Sequence, residues 1–282
     1  MKKITVLLLS SLLLMTISCQ QPQVNKFPWE DYGWKLAVQA YSFNRFTFEE
    51  TLNFAKELDL KYIEAYPGQK IGAGSEGTTH FNMSNDDREL VRSLLKKHQI
   101  EMINYGIVAA NSEEEWEQLF SFAADMGIQT IGSEPDPIWM DLIDELTVKY
   151  DIQLAIHNHP PPTRYWNPET VAETIAGRNS LIGASADNGH WMRTGIDPIV
   201  GYSILESRIK YLHFKDMSAF GEMDAHTVPF GTGVLDMPAT LKHLRQIGFK
   251  GVITIEYEWD WDNPTPKIAE SIAYLKEITA NL

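Results

Sequence analysis

Eight times along this chain a short run rich in Val, Ile, Leu and Tyr gives way to a longer stretch with apolar residues at helical spacing. The short runs are 35–43, 62–66, 101–108, 129–133, 152–156, 181–186, 209–214 and 252–256. The helical stretches that follow are 47–58, 85–98, 112–127, 138–149, 168–176, 197–207, 237–247 and 266–279. No hairpin signal separates neighbouring runs, so the strands should be parallel and joined by crossover helices. That leaves an open doubly wound sheet or a closed barrel. Eight units in 282 residues, without Gly-x-Gly-x-x-Gly after the first strand, select the closed form. The expected fold is α/β, a single-domain (β/α)8 TIM barrel over residues 34–282. Two stretches, 67–79 and 216–234, are too irregular for either element and should be loops.

The N-terminus is a targeting segment. Lys2 and Lys3 precede an apolar run over 4–17, too short for an ordinary spanning helix. It ends at Thr16-Ile17-Ser18-Cys19, which resembles a bacterial lipobox with Thr16 where Leu is usual. Residues 1–18 are therefore expected to be a lipoprotein signal peptide and Cys19 the lipidated residue. Residues 19–33 follow as a tether. The implied location is the bacterial cell envelope, on the periplasm or outer membrane, with the membrane met only through the lipid. Cys19 is the single cysteine, so no disulfide framework exists. Net charge is −14 with no basic cluster beyond a Lys-Lys pair, which disfavours nucleic acid as a partner.

In a barrel of this kind every strand opens on the same face at its C-terminal end, so residues there converge. Four exits carry ligand-type side chains: Glu134, Asp187, His213 and Glu256. Three carboxylates this close would raise one another's pKa unless a cation joined them. Three carboxylates with one imidazole make a hard site for one divalent metal ion. Mn²⁺ or Mg²⁺ suits it best, and Zn²⁺ or Co²⁺ could be held.

The run Ala186-Asp187-Asn188-Gly189-His190-Trp191, then His213-Phe214-Lys215-Asp216, then 251–258, resembles the xylose-isomerase-like barrel superfamily. More narrowly it is similar to the sugar phosphate isomerase/epimerase group, which includes ketose 3-epimerases and inosose-processing enzymes. The resemblance implies a metal held by Glu134, Asp187, His213 and Glu256, with His190 on the substrate. Two departures bear on the substrate. No Arg follows His213, and strand five ends in His157-Asn158-His159 where those epimerases commonly carry Glu. No Gly-rich phosphate cradle is evident, so a non-phosphorylated sugar is expected.

The expected activity is a metal-dependent sugar isomerase or epimerase that abstracts a proton next to a carbonyl. Glu134 and Glu256 would be the acid/base pair. His190, His157 and Lys215 would hold hydroxyls, Trp191 and Tyr41 would stack on the ring, and Glu64 is a weaker substrate contact. Trp166, Phe230, Trp259 and Trp261 share the aromatic role. Lys215 and Asp216 are equally able to pair with each other, and His159 belongs to loop structure. A 3-keto-sugar lyase or hydratase on the same metal is the alternative, and a non-catalytic carbohydrate-binding lipoprotein the next. Endonuclease chemistry, with His80 and His226 as added ligands, conflicts with the net charge.

Overall fold

The computed structural model describes residues 26–282. The signal segment, Cys19 and the first part of the expected tether lie outside them. Eight parallel strands close into a barrel: β1 Trp34–Gln39, β2 Tyr62–Ala65, β3 Glu101–Tyr105, β4 Thr130–Ser133, β5 Gln153–His157, β6 Ile182–Asp187, β7 Ile209–Phe214 and β8 Gly251–Ile255. Each strand pairs with its neighbours in sequence, and β1 closes on β8 with Trp34 opposite Gly251. Nine α-helices lie among the described residues: α1 Phe48–Glu57, α2 Asn85–His98, α3 Glu113–Met126, α4 Met140–Tyr150, α5 Pro168–Ile175, α6 Asn188–Arg193, α7 Pro198–Leu205, α8 Met237–Gln246 and α9 Thr265–Thr279. The expected barrel is thus the observed one.

Local chemistry explains the boundaries. Thr47 and Glu50 form the complete capping box at the start of α1. Ser84, Ser112, Asn167 and Asp197 cap α2, α3, α5 and α7 through their side chains. A small apolar cluster of Ala37, Ile103, Ala155, Tyr211 and Val252 fills the barrel interior. The larger cluster packs the helices around the strands. Gly132 is obligatory on β4, because a Cβ there would lie 2.1 Å from the Tyr211 hydroxyl.

Four expectations are corrected. Residues 28–32 are not tether: Pro28–Tyr32 winds into a 3₁₀ turn with Trp29 buried. Tyr32 Oη then donates to the carbonyl of Thr279 at 3.0 Å, and Trp34 Nε1 to that of Phe249 at 2.9 Å. Their aromatic side chains seal the end of the barrel opposite the strand exits, a role that a polar, Pro-containing composition conceals. The first strand stops at Gln39, where Ala40–Phe43 turns into a 3₁₀ segment. The stretch over 67–79 contains a small antiparallel ribbon, Lys70–Gly72 with Ser75–Thr78; left-handed glycines at 72 and 74 turn it and mask its strand character. The turn after β6 is a helix, α6, capped by Asp187 itself.

Candidate active site

Asp187 ends β6 and starts α6. Its Oδ1 accepts from the backbone N–H of His190 at 3.0 Å, which leaves Oδ2 for the centre of the site. Around Oδ2 stand Lys215 Nζ at 2.8 Å, His190 Nε2 at 3.5 Å, His213 Nδ1 at 3.7 Å and His157 Nε2 at 3.9 Å. Lys215 Nζ also lies 2.7 Å from Glu256 Oε2 and 2.7 Å from Glu258 Oε2. His213 is clamped between two carboxylates, with Nδ1 2.9 Å from Glu256 Oε2 and Nε2 3.0 Å from Glu64 Oε2. Tyr211 Oη donates to Glu64 Oε1 at 2.9 Å.

Charge in this dry cluster is set by its partners. Burial opposes ionisation of Glu256, but Lys215 and His213 outweigh it and hold the carboxyl below the usual range. Asp187 behaves likewise: burial is overcome by its cationic neighbours. Burial also works against the charge of Lys215, yet Asp187, Glu256 and Glu258 keep it an ammonium. For His213, Glu64 and Glu256 prevail over burial and raise its pKa well above that of an ordinary imidazole. His157 and His190 go the other way, since burial keeps both neutral.

Two histidine tautomers follow from hydrogen bonding. Arg193 Nη1 lies 3.0 Å from His190 Nδ1, and a guanidinium only donates. His190 Nδ1 therefore accepts, and Nε2 carries the proton. His159 is the mirror case. Its Nδ1 lies 2.9 Å from Glu134 Oε1, which also accepts the His159 backbone N–H at 2.8 Å. A carboxylate only accepts, so Nδ1 carries a proton, and the lone pair of the neutral ring is on Nε2.

These groups face a cavity of about 320 Å³ at the strand exits, lined by His157, His159, His190, His213, Glu256, Glu258, Tyr41 and Tyr66 among others. The expected placements of Glu256, His190, His157 and Tyr41 agree with this lining. Several others are corrected. Glu134 Oε1 accepts from His159, and the imidazole that stands with Asp187 and His213 is His157. Trp191 is wholly buried against Tyr202 and cannot stack on a ligand. Glu64 is equally buried and orients His213 rather than touching substrate. Lys215 lies beneath the cavity, bound to carboxylates and not to hydroxyls. It does not pair with Asp216, whose oxygens accept the backbone N–H groups of Gly231, Gly233 and Leu235 and so pin that loop. Phe230 packs on Phe214 in the core.

Sequence reasoning missed His159 and Glu258 as site residues. Each sits two positions from a residue that it did select, just past the end of a strand, where the irregular backbone gives no period to read.

The donor set fits a divalent cation. His157, Asp187 and His213 each offer an atom, and these atoms lie within 4.8 Å of one another. Asp187 Oδ2 and His213 Nδ1 are buried without a hydrogen bond of good geometry, as ligand atoms would be. Glu64 behind His213 is the outer carboxylate that metal-bound imidazoles usually have. Among the described residues no helix is long and apolar enough to cross a membrane.

Comparison with known proteins agrees with the barrel. A curated rhizopine catabolism protein, MocC, from Rhizobium meliloti is 28% identical over 153 residues, covering 49% of this chain and 45% of that protein. An inosose dehydratase from Lacticaseibacillus casei is 25% identical over 171 residues, covering 53% and 49%. The chain thus spans about half the length of the curated relatives it matches. Among solved structures, an uncharacterized protein from Parabacteroides distasonis ATCC 8503 is 34% identical with a TM-score of 0.72, over 87% of this chain and 99% of that one. A D-tagatose 3-epimerase-like protein shares the fold at 18% identity and a TM-score of 0.68, over 88% and 98%. So does a Mycobacterium smegmatis barrel in complex with magnesium, at 15% identity and a TM-score of 0.68, over 88% and 97%. The model of the xylose isomerase-like TIM barrel matches residues 52–278, most of the chain, and this protein belongs to that family.

Proposed function

We propose that this protein is a metal-assisted keto-sugar lyase or hydratase, which removes the proton next to a carbonyl and expels the oxygen substituent one carbon further on. The observation that carries this reading is the Glu134–His159 pair. It supplies one oriented imidazole with a free lone pair in the cavity, where epimerisation through Glu134 and Glu256 would need two free bases. Glu256 is already engaged through Oε2 by Lys215 and His213.

A divalent ion held by Asp187, His213, Glu256 and His157 would polarise the carbonyl and acidify the adjacent C–H. With His157 in place of Glu134, the donors are two nitrogens and two carboxylates. That moves the preference away from Mg²⁺ towards Mn²⁺, Zn²⁺ or Co²⁺. His159 Nε2 takes the proton, and Glu134 stabilises the imidazolium as it forms. The same imidazolium returns the proton to the departing oxygen, giving water or an alcohol and an unsaturated ketone; the reverse direction adds water. His190, with its proton on Nε2, donates a hydrogen bond to a developing oxyanion. The inosose dehydratase relative supports loss of water as an outcome. The epimerase-like neighbour bears on the fold alone.

The test is NMR in D₂O of the Mn²⁺-reconstituted protein exchanged into Zn²⁺, with 3-keto glucosides as substrate. An unsaturated ketone and a released alcohol are expected. His159→Asn should lose about 10²–10⁴-fold in kcat. A stereoisomer of unchanged mass as sole product would make the protein an epimerase and overturn this reading.

A further inference from the structure

Beside the catalytic cavity lies a second, more open depression of about 540 Å³, lined by Arg45, Tyr257, Trp259, Trp261, Asp262 and Lys267. The two share a wall. Tyr41 lines the first cavity and meets Trp261 edge-on, with ring centroids 5.8 Å apart; on its other side it meets Tyr66 at 5.2 Å. Trp259 is backed on one face by His226, stacked at 4.3 Å, yet remains 51% exposed. His226 is itself held by Ser218, whose hydroxyl accepts the His226 backbone N–H at 3.1 Å. Arg45 and Asp262 form an exposed ion pair at its edge. A large indole propped from behind and open in front, next to exposed charged groups, suits a sugar ring, which has one apolar face and a polar rim.

We infer that this depression is a second ring subsite, so that the substrate is a glycoside or disaccharide: the oxidised ring enters the catalytic cavity, and its leaving group rests on Trp259 and Trp261. The inference rests on the elimination reading for the identity of that leaving group, but the platform itself does not depend on it. The loop that follows β8 carries Glu256 and Glu258 at the catalytic cavity and then Trp259 and Trp261 at the depression, so the two are joined along one short stretch of chain. An expelled alcohol would therefore depart towards an aromatic surface already placed to hold it.

The experiment compares kcat/KM for methyl 3-keto-β-glucoside and 3-keto-cellobiose in wild type, Trp259→Ala, Trp261→Ala and Trp259→Phe. The ratio of two-ring to one-ring turnover is expected to fall about three- to tenfold in each Ala variant and to persist in Trp259→Phe. Circular dichroism checks the fold of each. An unchanged ratio in both Ala variants, with the one-ring substrate still turned over, overturns the subsite and leaves the lyase reading intact. Failure to turn over either substrate overturns the lyase reading instead. Saturation-transfer NMR with plain cellobiose then decides the platform: a signal lost in Trp259→Ala supports it, and no signal in wild type refutes it.

Discussion

Lys215 is the residue on which the site's electrostatics turn. Its ammonium touches Asp187, Glu256 and Glu258 in a buried position, so it acts as an internal cation for acids that a divalent ion would also serve. Removing it without metal leaves buried carboxylates unpaired. Lys215→Met is therefore expected to lower stability by about 3–5 kcal/mol in EDTA, with part regained on adding Mn²⁺. Urea titrations with and without the ion would check this, and equal losses in both would refute it.

Titration of the histidines gives a second expectation at the same scale. His157 and His190 have depressed pKa values, so their contribution is present above the unfolded value of 6.5 and is lost as pH falls towards their folded values. His213 has a raised pKa, so its contribution is full below 6.5 and is lost as pH rises towards the folded value. The metal-free protein should weaken on both sides of about pH 6.5, and His213→Gln should flatten the alkaline limb. Denaturation midpoints from about pH 5 to 9 would show it.

At the scale of elements, α6 couples packing to chemistry. Asp187 caps it and His190 lies in its first turn, while Trp191 anchors it against Gly201 and Tyr202 of α7. A Cβ at position 201 would meet the Trp191 ring at 2.6 Å. Gly201→Ala should cost about 1–3 kcal/mol and also reduce activity, because the strain reaches His190 through its neighbour. Thermal melts and turnover would separate that variant from Thr47→Ala. The latter should lose about 1 kcal/mol of helix capping with activity intact.

The elements were legible in the sequence for a simple reason. Strand and helix periodicities alternate cleanly, and caps such as Thr47–Glu50 signal locally. The site was legible only in part. Asp187, His213 and Glu256 stand at the ends of strands whose patterns place them directly. Glu134 stands at such an end too, but Pro135 follows it, and its carboxylate turns to the backbone and ring of His159. Nothing in residue type tells a ligand from the partner of a neighbouring base. The same holds for Trp191, whose burial depends on a glycine ten positions away on another helix.

At the scale of the whole molecule, all the chemistry gathers on one end of the barrel and the chain's first described segment on the other. If Cys19 carries a lipid, as its lipobox-like context suggests, Cys19→Ser should move the protein from the membrane to the soluble fraction of cells. Fractionation with a palmitate-analogue label would check this. The seal formed by Pro28–Tyr32 then acquires a mechanical meaning. Six residues lie between Cys19 and Lys26, seven steps that reach about 25 Å at full extension. A lipid on Cys19 would then hold the sealed end nearer the bilayer than the mouth. On such a stem the cavity would open towards the aqueous space, where a water-soluble sugar would reach it.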